Sequence, residues 1–165
     1  MAAARRGEAI RQLKPSPGSR VADIGAGTGY FAVPLAHAFG PDGWVYAVDL
    51  QREMLDLLRE KLDAPDAPKN IEVRQGAATA TGLDEHSCEL VFLANIWHEL
   101  DRHEDVLTEA ARILALGGRL AILDWRTDVE HPPGPPVEHR ISAADAEKML
   151  TNNGWFVSHS GLLGR

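Results

Sequence analysis

One cysteine, Cys88, is all the thiol chemistry in 165 residues. A lone cysteine excludes an intrachain disulfide and leaves no set of thiolates for a metal site. Long apolar runs are missing as well: none reaches the ~18–20 residues of a membrane-spanning helix. The opening Met1–Arg6 stretch is soon interrupted by Glu8, Arg11 and Lys14, unlike the apolar core of a secretory leader. Positive charge is also scarce, since 17 Lys and Arg face 24 Asp and Glu for a net charge of −7, with no basic block beyond Arg5-Arg6. A nucleic-acid binder needs clustered cations to neutralise phosphates, so nucleic acid is not the expected partner. A cytoplasmic protein with neither metal nor membrane span is the plain expectation.

The residues present alternate between short apolar runs and longer amphipathic stretches, the pattern of a parallel sheet flanked by helices. The length suits one domain, residues 1–165, burying roughly 70% of its unfolded surface. Expected strands are Arg20–Ile24, Trp44–Asp49, Ile71–Gln75, Glu89–Ala94, Gly118–Asp124 and Trp155–His159. Expected helices are Gly7–Leu13 within a lead-in over residues 1–19, then Tyr30–Phe39, Arg52–Leu62, His103–Leu114 and Ala143–Asn153. Ser142 followed three residues later by Asp145 reads as a capping-box-like helix start, and Gly154 as a helix stop. In His131-Pro132-Pro133-Gly134-Pro135-Pro136 the prolines forbid regular structure.

The most informative stretch is Val21-Ala22-Asp23-Ile24-Gly25-Ala26-Gly27-Thr28-Gly29, followed by Val45-Tyr46-Ala47-Val48-Asp49. A buried strand runs into a glycine turn and a helix, and the next strand ends on a carboxylate able to accept both hydroxyls of a ribose. A dinucleotide fingerprint spaces its glycines G-x-G-x-x-G, but here the third position is Tyr30 and the glycine present is Gly29. The pattern hydrophobic-x-Asp-hydrophobic-Gly-x-Gly-x-Gly, with an acid at Asp49, resembles the class I S-adenosylmethionine-dependent methyltransferases. That resemblance spans Arg20 to Gly154. It implies an α/β fold with a doubly wound, mostly parallel, Rossmann-like sheet of strand order 3-2-1-4-5-7-6 and an antiparallel seventh strand. Only Ser160–Arg165 follow the last expected strand, so the seventh is expected to be missing or rudimentary, and the open sheet edge makes a homodimer the expected assembly.

The same resemblance assigns cofactor contacts to Asp23, Gly25, Ala26, Gly27, Gly29, Asp49, Leu50, Ala77, Ala78 and Asn95. Backbone N–H groups of Gly25–Gly29 are expected to touch the methionine moiety and ribose, and Asn95 to offer its carbonyl to the methionine ammonium. Asp23 acts indirectly, ordering the loop or reaching the ammonium through water, or else it is a strand-end cap. Leu50 packs on the adenine. Met54 does so from the helix or, with Leu57 and Leu58 at helical spacing, belongs to the core. Gly76-Ala77-Ala78 departs from the family's frequent Gly-Asp-Ala, so the base is read there by backbone groups or water.

Strand four ends in Asn95-Ile96-Trp97-His98-Glu99-Leu100. It lacks the Asn/Asp-Pro-Pro-aromatic stretch that grips planar amino groups in enzymes acting on amide or nucleobase nitrogen. The segment is similar instead to small-molecule enzymes of the quinone-biosynthesis type, as is Glu109-Ala-Ala-Arg112-Ile113-Leu114-Ala-Leu116-Gly117-Gly118, where Leu116 replaces a proline. Oxygen or carbon is then the expected methyl acceptor. His98 is the candidate catalytic residue, as general base or substrate contact; equally it is a helix-start residue bonded to its own backbone or to Glu99. Glu99 and Asp101 read as solvated helix-entry charges, and Trp97 as core or else as a substrate platform. Residues 125–141 read as a proline-rich cover loop carrying Trp125, Glu138, His139 and Arg140, with Trp125, His139 and Arg140 the substrate candidates; Arg140 pairs an acidic substrate, or with Glu138 pins the loop. Two other readings stay open: a cofactor-binding domain with little activity alone, because only a short lead-in covers the site, and a nicotinamide-dependent dehydrogenase, which Tyr30 argues against. An arsenite methyltransferase is disfavoured by the single cysteine.

Overall fold

The structure, a computed structural model, describes residues 2–129 and 134–161, with side chains from residue 5 onward. Of the expected cover loop, Glu130, His131, Pro132 and Pro133 lie outside the described residues. One parallel sheet has the order β3-β2-β1-β4-β5, built from β1 (Arg20–Ile24), β2 (Trp44–Asp49), β3 (Ile71–Gln75), β4 (Cys88–Ala94) and β5 (Leu114–Leu123). Helices α1 (Ala2–Gln12), α2 (Ala32–Phe39), α3 (Arg52–Leu62), α4 (His103–Ile113) and α5 (Ala143–Asn152) complete it.

Because successive side chains of a strand point to opposite faces, β1 feeds two cores. Val21 joins Phe31, Leu35, Phe39, Val45, Leu58 and Phe92 on one side, packed by α2 and α3. Ala22 and Ile24 join Val48, Val91, Leu93, Trp97, Leu107 and Ile113 on the other, packed by α4 and, through Met149 and Leu150, by α5. Covered on both faces, the central strands read as continuous apolar runs; β4 keeps all but one of its residues buried. Trp97 is buried in the second core, as expected of a core residue.

The N-cap read from sequence is present: Ser142 Oγ accepts from Asp145 N–H at 3.1 Å and donates to its Oδ2 at 2.6 Å. Two expectations change. Strand β5 begins at Leu114, earlier than expected, because that residue leaves α4 in an extended conformation and pairs with Cys88 before the chain bulges out and re-pairs at Arg119 with Leu90. The solvent-exposed Leu116 rides on the bulge. Trp155–His159, expected as a sixth strand, forms none among the described residues. The Trp155 N–H closes α5 by donating to the Leu150 carbonyl at 3.0 Å, its ring packs on the second core, and Phe156 is left 90% exposed. A strand needs a laddered neighbour, and this backbone spends its donor on a helix end instead.

Candidate functional site

Parallel order reverses at β1, where the chain goes outward to β2 on one side and to β4 on the other, so a crevice opens beyond the carboxyl ends of these strands. Every cofactor candidate read from sequence lies at or just beyond that end: Asp23 near the tip of β1 with Gly25 through Gly29 after it, Asp49 closing β2 with Leu50 after it, Ala77 and Ala78 after β3, Asn95 after β4.

The β1 turn is tied to β2. Gly25 and Ala26 N–H groups donate to the Val48 carbonyl at 2.8 and 3.0 Å, and the Gly29 N–H to the Ala26 carbonyl at 2.9 Å. Gly27 N–H donates to Asp49 Oδ2 at 2.8 Å, while Asp49 Oδ1 accepts from Gln51 N–H at 2.8 Å. In this structure the N–H groups of Gly25, Ala26, Gly27 and Gly29 bond within the protein and hold the turn. Asp49 keeps unused lone pairs on both oxygens for further donors, which is what a ribose diol supplies.

Two of the glycines are required for different reasons. A Cβ at Gly25, where φ is +77°, would lie 2.7 Å from Ile96 Cγ2, so the turn packs directly on the segment after β4. At Gly27, where φ is +54°, a Cβ meets nothing within 4 Å; the open space there is a cradle that a side chain would fill. Leu50, two-thirds exposed at the rim beside Asp49, has an apolar face to offer a planar ring. Asn95 holds a left-handed φ of 59° while its N–H donates to the Leu123 carbonyl at 2.7 Å. Such a backbone conformation outside glycine is uncommon and favours asparagine.

Asp23 is buried beneath the turn, and its Oδ2 has no hydrogen-bond partner. Burial first, then the negative charge of Asp49, push its carboxyl up to about 7, against a smaller pull from the Ala32 N–H. A buried carboxylate oxygen without a donor is costly and marks a place where a cation or water completes the network.

Past β4, residues Trp97–Glu99 form one 3-10 turn. It carries the pair that sequence reading missed. His98 Nδ1 lies 2.7 Å from Asp124 Oδ1, the His98 N–H donates to Asp124 Oδ2 at 2.9 Å, and Trp125 N–H donates to Oδ1 at 2.7 Å. Neither sequence reading of His98 included Asp124, which had counted only as the end of a strand. An acid at the carboxyl tip of a strand adjoining β4, like Asp49 on β2, was the available signal.

The substrate candidates scatter. Trp125 packs its ring over Gly134, where a Cβ would come within 2.8 Å. His139 is exposed on a second 3-10 turn, Val137–His139. Arg140 is buried and donates to the carbonyls of Pro135, Arg126 and Val129 at 2.6–3.0 Å. These bonds pin the loop and leave the guanidinium turned away from solvent.

A second network braces the β3 end. Glu109 Oε1 accepts from Thr81 N–H at 2.8 Å and from Thr81 Oγ1 at 2.6 Å, and Arg112 bridges both Glu109 oxygens and the Leu83 carbonyl. The Arg112 hydrogen bonds, with those of Thr81, hold the Glu109 carboxyl down at about 2 in spite of burial. This fixes the loop that carries Ala77 and Ala78 onto α4. Gln75 Nε2 adds a bond to the Leu50 carbonyl at 3.1 Å.

Residues 22–122, from within β1 to within β5, match the family model described as a methyltransferase domain. The chain belongs to the methyltransferase domain family. The methyltransferase domain is 40% identical over 120 residues, 73% of this chain and 45% of the relative, to an uncharacterized methyltransferase of Mycobacterium tuberculosis. It is 30% identical over 115 residues, 70% of this chain and 47% of the relative, to a demethylmenaquinone methyltransferase of Lactobacillus johnsonii. A SAM dependent methyltransferase from Aquifex aeolicus superposes with a TM-score of 0.84 at 29% identity, covering 90% of this methyltransferase domain and 78% of that chain. The chain thus spans a little under half the length of the curated relatives it matches.

Proposed function

We propose that this chain is an S-adenosylmethionine-dependent methyltransferase domain that transfers a methyl group to a small-molecule acceptor. The observation that carries the reading is the Gly27–Asp49 bond beside the open cradle at Gly27, with the unpartnered Asp23 Oδ2 below. These features fit the cofactor part by part. Asp49 accepts from the ribose, the exposed Leu50 lies against adenine, the space at Gly27 admits the adenosyl body, and Asp23 with the Asn95 carbonyl answers the ammonium. When bound, the cofactor supplies an electrophilic methyl on a sulfonium. The chain's own residues orient it and exclude water; holding acceptor, methyl and sulfur in line supplies much of what the reaction needs.

The quinone-type acceptor of the Lactobacillus relative and the absence of a proline-proline grip after Asn95 support oxygen or carbon over amide or nucleobase nitrogen. Trp125 and His139 are the acceptor contacts assigned to the cover loop, since Arg140 spends its guanidinium on the carbonyls of Pro135, Arg126 and Val129. The acting unit is one domain in the cytoplasm, and the edge of β5, unpaired among the described residues, is offered to a second copy; a sedimentation mass equal to one chain removes that last point. A cofactor-binding domain without turnover is the competing reading. Incubating the protein and cofactor with phenols, quinone precursors and carboxylates, and following adenosylhomocysteine release, separates the two.

A further inference from the structure

We infer that Asp124 is a positioning residue that presents His98 as a proton acceptor, so that the methyl acceptor is one whose nucleophilic atom must lose a proton: a hydroxyl or an acidic C–H, not an amine. The inference rests on the methyl-transfer reading above.

The two residues come from adjoining strand ends. Ala94 and Leu123 are the last paired residues of β4 and β5, and the loops beyond them bring His98 to Asp124. The carboxylate is immobilised by the N–H groups of His98 and Trp125 as well as by the ring. The two side chains are only 5% and 12% exposed. An ionised carboxylate only accepts, so Nδ1 must be the donor, and a neutral ring then carries its lone pair on Nε2. The nearest acidic atom to Nε2, Glu99 Oε1, stands 3.6 Å away, beyond hydrogen-bond length. Ile96, two residues before His98, packs against Gly25 of the cofactor turn, which sets this segment beside the crevice.

This arrangement selects a class of chemistry. A neutral amine attacks through its own lone pair and keeps its protons through the transfer, so a buried base adds nothing to that step. A hydroxyl becomes a competent nucleophile as its proton departs. As the acceptor oxygen or carbon bonds to the methyl, the sulfur–methyl bond breaks and its electron pair stays on sulfur. The acceptor's proton passes to Nε2, giving an imidazolium whose charge Asp124 balances at Nδ1.

The test uses the full chain labelled with 15N-histidine, read by NMR at about pH 8, where an ordinary histidine is neutral. The expected spectrum shows His98 protonated at Nδ1 and bare at Nε2. A ring protonated at Nε2 alone, or at both nitrogens, overturns the proposal without recourse to any variant. In Asp124→Ala the Nδ1 preference is expected to disappear, whereas Glu99→Gln leaves it; an unchanged tautomer in a folded Asp124→Ala protein overturns the positioning role. With S-adenosylhomocysteine present, phenol as a minimal hydroxyl probe is expected to shift the Nε2 resonance and aniline, its amine counterpart, is not. A resonance moved by the amine alone, or by neither, overturns the acceptor class. Failure of the protein to bind S-adenosylmethionine at all removes the methyl-transfer reading and leaves the tautomer result standing.

Discussion

Gly27 and Asp49 are joined by a 2.8 Å hydrogen bond from backbone N–H to carboxylate, so the acid that ends β2 holds the turn of β1 in shape. Substitutions at its two ends therefore differ in what they disturb. Gly27→Ala keeps the N–H and meets no protein atom within 4 Å, but it forces an alanine into φ +54° and puts a methyl into the cradle. A stability loss of about 1–2 kcal/mol is expected from the backbone, with a larger loss of cofactor affinity. Denaturation and calorimetry on the same sample compare the two; a variant that binds normally would mean the cradle faces nothing.

Asp23 links pH to both stability and binding. Its carboxyl stands at about 7 in the folded protein against 3.8 ordinarily. The folded state therefore holds a proton that the unfolded state has released, and this contribution to stability is complete below about pH 4 and lost as pH rises through 7. Asp23→Asn is expected to flatten that dependence and to stabilise the ligand-free protein at pH 8 by roughly 2–4 kcal/mol, while weakening cofactor binding. Near pH 6.5 the cofactor's ammonium is expected to displace the proton, so apparent binding enthalpies should vary with buffer ionisation enthalpy in wild type and not in Asp23→Asn. No buffer dependence in wild type would remove Asp23 from the ammonium site.

Glu109 runs the opposite way. Held at about 2 by Arg112 and Thr81, it contributes stability present above its ordinary value of 4.5 and lost as pH falls towards 2. Glu109→Gln is expected to cost roughly 2–3 kcal/mol at pH 7, shrinking towards zero at low pH. Urea denaturation at several pH values checks this; a loss still undiminished at about pH 2, where the folded carboxylate takes up its proton, would point to packing rather than charge.

Arg140 gives a test of the cover loop. Arg140→Lys keeps the charge but cannot reproduce the forked bonds to Pro135, Arg126 and Val129. Faster proteolytic cleavage within 126–136 is expected with cofactor affinity unchanged. If the affinity falls instead, the guanidinium has a role at the site beyond holding the loop.

Much of this was legible in the chain, for reasons that show where legibility stops. The bounds of β1, β2, β3 and α3 follow from local signals: apolar runs closed by glycine or acid, and an amphipathic stretch closed by its own polar residues. The spacing of Gly25, Gly27, Gly29 and Asp49 pointed to the carboxyl end of the sheet, where the structure brings them together. Trp155–His159 has strand composition, but a strand is decided by a neighbour that local pattern does not reveal. The His98–Asp124 pair joins residues 26 apart in sequence, through strand adjacency alone. That the turn's N–H groups are consumed by Val48 and Asp49 likewise depends on how two strands meet, which glycine spacing does not specify.

Calorimetric titration of S-adenosylmethionine into wild type and Asp49→Ala, with the nicotinamide dinucleotide as control, bears most directly on the crevice. Expected are one site per chain in wild type, a loss of about ten- to a hundred-fold on removing the charged acceptor, and no uptake of the dinucleotide. Equal affinity in the two proteins, or binding of the dinucleotide in place of S-adenosylmethionine, contradicts the assignment of Asp49 and the glycine turn to an adenosyl sulfonium.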